Sequence, residues 1–290
     1  MSKDYSDLIG ALDLIKDRYV EQKITIPNLE KFLIGNHFNY ICLDNNKKGM
    51  AYNFPEMSCH LDEESMEELY KIIQECIGLS ILHFFNKLIL SNSDSVMLRS
   101  FLLASLNALS NCLLDSENIP KKGFFIEENE FDFLNKEDVV TVVGYGGIID
   151  KIMGKCKEIN VTDLRPKWAL SGVTINKDSI NYGNESINIY SEQSSKPYEK
   201  ADVVLITGAT IVNQTYLDII KKSRNARVIG CYGPSAQIMP EFLFQQGFNY
   251  ISSIKLFDFK MAEAPMNPDE IRYFLKNNSK PYYISNKKLV

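Results

Sequence analysis

Two loops of this sequence place hydroxyls, amides and glycine directly after apolar runs, a composition that can hold polar ligand groups without a charged side chain. Thr207-Gly208-Ala209-Thr210, followed by Asn213 and Thr215, comes after Val203 to Ile206, and Gly233-Pro234-Ser235 comes after Val228 to Cys231. Backbone N–H groups and hydroxyls where a helix begins can take a carboxylate, a phosphate or a polar substrate edge. Gly208 permits a positive φ there. The competing use of the same hydroxyls, including that of Ser235, is to cap the helices and satisfy their free donors.

A second constellation is Gly144-Tyr145-Gly146-Gly147 after a Val-rich run, with Asp163 nineteen residues beyond Gly144. In dinucleotide-binding folds such glycines let the backbone approach a pyrophosphate, and the acid takes a ribose hydroxyl. Ile149 stands where a third small residue is expected, so a dinucleotide, an adenosyl ligand such as S-adenosylmethionine and a structural tight turn all stay open. Asp163 and Arg165, two apart at a strand end, can grip a charged ligand or pair across a domain boundary; Pro166 keeps Arg165 extended. Asp163, Glu241 and Asp258 are candidate oxygen ligands for a divalent transition metal, although ordinary salt bridges explain each one singly. Of the three histidines, His83 reads as a core-edge residue on an apolar helix, and Cys59-His60 is an adjacent soft pair with nothing nearby to complete four ligands. None of the histidines falls in the second half, so no Ser/His/Asp triad assembles, and there is no P-loop.

These residues need strands and helices to position them. Val139 to Val143, Glu158 to Thr162, Val203 to Ile206, Val228 to Cys231 and Tyr250 to Ile254 alternate with helical segments, which predicts a doubly wound parallel sheet with ligand-facing carboxyl ends. The interval 168–200, rich in Ser, Asn and Gly, predicts a hairpin around Val173 to Tyr182 and a short helix near Ile187; the tail from Asn277 reads as peripheral. Ahead of this lie a helix over 4–20 with Leu8, Ile9, Leu12, Ile15 and Tyr19 on one face, then strands at Tyr40 to Leu43 and Met50 to Tyr52 joined by a polar turn. Three helices follow: from an Asp62 N-cap to about Ile77, from Leu79 to Leu90, and from Val96 to Leu114. The stretch from Ile119 to Lys136 has poor periodicity and reads as a linker. The expected division is an α+β domain over 1–136 and an α/β domain over 137–290.

TGATIVNQT (207–215) and GPSAQIMPEFLFQQGFNYI (233–251) resemble the two most typical segments of the putative heavy-metal-chelation family. That family joins a Rossmann-like domain to an enolase-N-terminal-like domain, and Ser105 to Asn111 resembles it too. The resemblance implies a cleft between the domains that binds a metal ion or a metal-chelating small molecule, in cofactor or metallophore metabolism. Thr207, Gly208, Thr210, Asn213, Thr215, Gly233 and Ser235 would hold polar groups, with charge from Asp163, Arg165 and Asp258. Asn107 would either face the cleft, or hydrogen-bond within its own domain or face solvent. The alternative is an enzyme using S-adenosylmethionine or NAD(P) in the same cleft, held also by Gly144 and Gly146; a non-catalytic binding or scaffold module is the third. Whether the protein is an enzyme stays open.

Composition sets outer bounds. At 290 residues, 45% hydrophobic and 24% charged, the chain suits two domains of roughly 150 residues. Net charge is −5 with Lys and Arg scattered, which speaks for an acidic solvated surface and against nucleic acid as a partner. Six cysteines without a CxxC pair, and no signal-like N-terminus, point to reduced thiols and a cytoplasmic protein. Ile72 to Leu90 is broken by Gln74, Glu75, His83, Asn86 and Lys87, so no membrane partner is expected. The partner expected is a small molecule or metal ion, and assembly as a homo-oligomer is left open.

Overall fold

Runs of Val, Ile and Leu without polar alternation need cover on both faces, and in a parallel sheet they obtain it from crossover helices. The computed structural model, which describes residues 4–55, 63–91, 96–114, 123–183, 186–265 and 268–289, places five such runs side by side. They are β5 (Val139–Val143), β6 (Glu158–Asp163), β10 (Val203–Thr207), β11 (Val228–Tyr232) and β12 (Tyr250–Leu256). A sixth parallel strand, β9 (Ile187–Ser191), pairs with β6. The spatial order β9-β6-β5-β10-β11-β12, counted along the chain, is 3-2-1-4-5-6, the order of doubly wound nucleotide-binding sheets. The expected fold is borne out.

Three local expectations are corrected. The helix expected near Ile187 is β9, an edge strand with Ile187 and Ile189 buried and Asn188 exposed; its five residues are too few for the alternation to stand out in a polar interval. The tail is not peripheral: β13 (Ser279–Ser285) pairs antiparallel with β12 from Leu256↔Ser279 to Tyr250↔Ser285, and Ile284 is fully buried. The aperiodic stretch before Lys136 supplies β4 (Phe125–Ile126), which pairs with β13. Phe131 and Phe133 then pack on the Tyr250 ring with centroids 5.8 and 4.7 Å away. Aromatic side chains bury well without regular spacing, which explains why periodicity missed them. The expected hairpin is present as β7 (Val173–Ile175) and β8 (Ile180–Tyr182).

In the first half, α1 (Ser6–Glu21) buries Leu8, Leu12, Ile15 and Tyr19 as expected, while Ile9 is exposed. The strands β1 (Leu29–Ile34), β2 (Phe38–Leu43) and β3 (Lys48–Tyr52) form an antiparallel meander. Helices α2 (Glu63–Cys76), α3 (Ile81–Leu90) and α4 (Val96–Leu113) follow. Asp62, the expected N-cap, lies outside the described residues. Among the described residues α4 is the one helix long and apolar enough to cross a membrane, but it is the central core helix, 89% buried. Its apolar residues Phe101, Leu102 and Leu109 share a continuous buried cluster with Ile206, Ile211 and Ile238 from the sheet half. Gly49 lets β3 lie directly on α4, because a Cβ there would overlap the backbone of Ala104 and Ala108.

Arg99 fastens this packing. Its guanidinium, from the first turn of α4, pairs with Asp7 at 2.8 Å and donates to the carbonyls of Ile211 and Val212 at 3.0 and 3.1 Å. A buried arginine is tolerated because its donors meet acceptors on two other segments.

Candidate functional site

In the 3-2-1-4-5-6 order the chain leaves the neighbouring strands β5 and β10 in opposite directions, and open α/β sheets place ligands in the crevice outside that point. Here a cavity of about 1070 Å³ opens at those strand ends. Gly144, Asp163, Thr207 and Gly233 line it from the sheet side, and His37, Phe38, Tyr52 and Phe54 line it from the β1–β3 side.

The turn after β5 is held from three directions. Gly144 adopts φ +96°, a left-handed conformation suited to glycine, and its N–H donates to Thr162 O at 2.8 Å. The Tyr232 hydroxyl, reaching across from β11, lies 3.0 Å from Val143 O and 2.9 Å from Gly144 O and shares its proton between them. Burial raises the pKa of this phenol, so it stays a donor. The Asp163 carboxylate accepts from Tyr145 N at 2.7 Å and from Arg165 N at 2.9 Å, and it is doubly bound by the Arg165 guanidinium at 3.0 Å. Burial pushes the Asp163 carboxyl up, but the hydrogen bonds from the Arg165 side chain, Tyr145 N and Arg165 N outweigh it and hold the pKa below the usual value. Asp163 and Arg165 therefore pair with each other within one loop and not across a domain boundary. Both carboxylate oxygens are engaged, and Ile149 is buried in the core beneath the turn.

The turn after β10 is equally engaged. Thr210 Oγ1 donates to Thr207 O at 2.7 Å, and Asn213 Oδ1 accepts from Thr215 Oγ1 at 2.8 Å. Thr207, Thr210, Asn213 and Thr215 all line the cavity, as does Gly146. Gly208 does not. It is buried with φ −59°, so the positive φ that a glycine permits there is not used, and its role is close approach, since a Cβ there would sit 2.6 Å from Ala236 N. Ser235 and Asn107 are likewise behind the wall: Ser235 Oγ accepts from Tyr52 N at 2.9 Å, and Asn107 Nδ2 donates to Met50 O and Ser235 O at 2.7 and 3.1 Å. These side chains join the halves.

The three expected metal ligands do not converge. Asp163 is held by Arg165, Glu241 lies 3.3 Å from Arg18 on α1, and Asp258 lies 2.6 Å from the buried Lys48 on β3. Lys48 lowers the Asp258 pKa by hydrogen bond and charge. Among the described residues no three His, Cys, Asp or Glu side chains could hold a metal ion together. Salt bridging, the alternative read from the sequence, accounts for all three carboxylates. Cys59 and His60 lie outside the described residues.

Comparison with known proteins now bears on this architecture. Residues 129–266 match the DUF364 family. That family is described as "Putative heavy-metal chelation", so the resemblance read from the motifs is borne out for this segment. An uncharacterized protein of Methanocaldococcus jannaschii is 22% identical over 277 residues, covering 94% of this chain and 93% of its own. A DUF364 protein of unknown function from Pyrococcus horikoshii has a similar structure, with TM-score 0.62 at 18% identity over 95% of this chain and 99% of that one. One from Desulfitobacterium hafniense gives TM-score 0.61 at 18% identity over 95% and 98%. At these identities the solved structures establish the fold.

Several residues that line the cavity carry no mark of it in the sequence. Tyr232 sits one residue past the apolar run that marked β11, and nothing local shows that its hydroxyl reaches β5. Glu130, which accepts from Ser252 Oγ at 2.6 Å and from Lys151 at 2.6 Å, lies in the stretch read as a linker. Arg272 comes from α5 (Pro268–Asn278), a helix with no sequence mark of proximity to the glycine turn.

Proposed function

We propose that the cavity at the β5/β10 switch point binds a small organic ligand, and that a metal ion enters it already complexed by that ligand. The supporting observation is the contrast between two features. A cavity of about 1070 Å³ with the rings of Phe38, Tyr52 and Phe54 on one wall has the size and the mixed lining of a small-molecule site. The carboxylates that would have to bind a bare ion are each consumed by a cation. A metal-chelating small molecule fits both this lining and the family's description, and the corresponding role is in cofactor or metallophore metabolism.

Native mass spectrometry of protein taken directly from its source tests this reading, because a co-purified ligand is seen without being guessed. Calorimetry on chelator-stripped protein with Fe, Co, Ni, Cu and Zn should show no tight uptake of the free ions. Stoichiometric binding of a free ion with no organic molecule present would remove the proposal.

The second reading is an enzyme that uses a nucleotide-like cosubstrate. Its support is the 3-2-1-4-5-6 order together with Gly144 in the left-handed conformation at the end of β5. Against NAD(P), Asp163 offers no free oxygen to a ribose hydroxyl. Thermal-shift screening with NAD, NADP, S-adenosylmethionine and ATP separates the readings: stabilisation by S-adenosylmethionine or a nucleotide favours the enzyme.

A further inference from the structure

The glycine turn after β5 is flanked by two arginines that differ in how they are satisfied. Arg165 Nη2 donates to Tyr145 O at 3.0 Å, and its charge is matched by Asp163. Arg272 comes over the same turn from α5, and its guanidinium lies so close on Gly147 that a Cβ there would overlap Nη2 and sit 3.2 Å from Cζ. Gly147 is two residues from Tyr145, so the two guanidinium groups bracket a stretch at most ~7 Å long. Both line the cavity. Among the described residues Arg272 has neither a carboxylate within 4.0 Å nor a hydrogen-bond acceptor, whereas Lys151, also on this wall, is paired with Glu130 at 2.6 Å.

We propose that Arg272, seated on Gly147, is the anion-recognising residue of the cavity, and that the ligand is an organic acid with a carboxylate or phosphate group at this end. The inference rests on the reading that the cavity holds an organic ligand, and it names that ligand's class. Two physical features carry it. A planar guanidinium with five donors and no acceptor among the described residues, facing a cavity, presents a fork that matches carboxylate or phosphate oxygens in pairs. The absence of a side chain at 147 is what allows the guanidinium to reach that position.

Inorganic phosphate is the probe, titrated by calorimetry and thermal shift into the full chain carrying Arg272→Gln, Arg272→Lys or Gly147→Ala, with the unsubstituted protein alongside. Phosphate is expected to stabilise the unsubstituted protein. R272Q should weaken it ~10-fold or more, as loss of a charged hydrogen bond does, R272K should restore part of the response, and raising the salt concentration should reduce it. G147A should weaken phosphate binding without changing any charge, because its methyl group displaces the guanidinium. The overlap is with the end of a flexible side chain, so this variant is expected to fold. Equal phosphate affinity in R272Q and the unsubstituted protein, or no response in the unsubstituted protein, overturns the assignment. In either case an uncharged molecule retained in native mass spectra would leave the organic-ligand reading standing, and an empty protein would remove both.

Discussion

Asn107 and Asn111, one turn apart on α4, make the same paired connection. Asn107 Nδ2 bonds Met50 O on β3 and Ser235 O after β11, and Asn111 Nδ2 bonds Lys48 O on β3 and Leu256 O at the end of β12. Each amide thus ties the meander and the large sheet to one helix. Among the described residues neither Oδ1 has a hydrogen-bond partner, so the side chains are present as donors. Replacing Asn107 with Leu strands two buried carbonyls and should cost about 1–3 kcal/mol, read as a lower urea midpoint. An unchanged midpoint would mean that those carbonyls find other donors.

Gly49→Ala tests the contact beneath these bonds. The added methyl overlaps α4 backbone at Ala104 and Ala108, which cannot rotate away as a side chain can. The expected loss is about 3 kcal/mol, at the upper end of the usual overpacking range, measured by chemical denaturation. A variant of unaltered stability would place β3 farther from α4.

Asp163→Asn should weaken the glycine turn in a pH-dependent way. The folded pKa is depressed because hydrogen bonds from Arg165 and Tyr145 N outweigh burial. A depressed carboxyl pKa contributes stability above its unfolded value, ~3.9, and loses it as pH falls through the folded value. The unsubstituted protein should therefore be more stable than D163N near neutrality, and the gap should close in acid. A gap that persists well below pH 4, or that grows there, contradicts the hydrogen-bonded carboxylate.

Glu241→Gln and Asp258→Asn should leave any metal content of the purified protein unchanged, because each carboxylate serves a cation of the first half. D258N should still destabilise the fold, since Lys48 is 2% exposed and loses its partner. Inductively coupled plasma mass spectrometry paired with thermal unfolding checks both halves, and loss of a bound metal in either variant would restore these acids as ligands.

The amino-acid sequence by itself determined the strands and the turns. Continuous runs such as Val139 to Val143 and Val203 to Ile206 fit a sheet covered on both faces, and glycines such as Gly144 and Gly233 were marked because they close those runs. Both adopt positive φ. Such information is local: burial of a strand and the conformation of a turn are written in neighbouring residues.

Tertiary structure decided what the polar side chains do. Ser235 and Asn107 had the chemistry of ligand contacts, yet Asn107 meets Ser235 O across 128 positions of chain, Ser235 Oγ meets Tyr52 N across 183, and Asp258 meets Lys48 across 210. A hydroxyl, an amide or a carboxylate bonds whichever partner the fold delivers, and spacing along the chain does not specify that partner. The same reason explains β13, whose place beside β12 is fixed by pairing, and Arg272, whose place over Gly147 follows from the contact of α5 with β13.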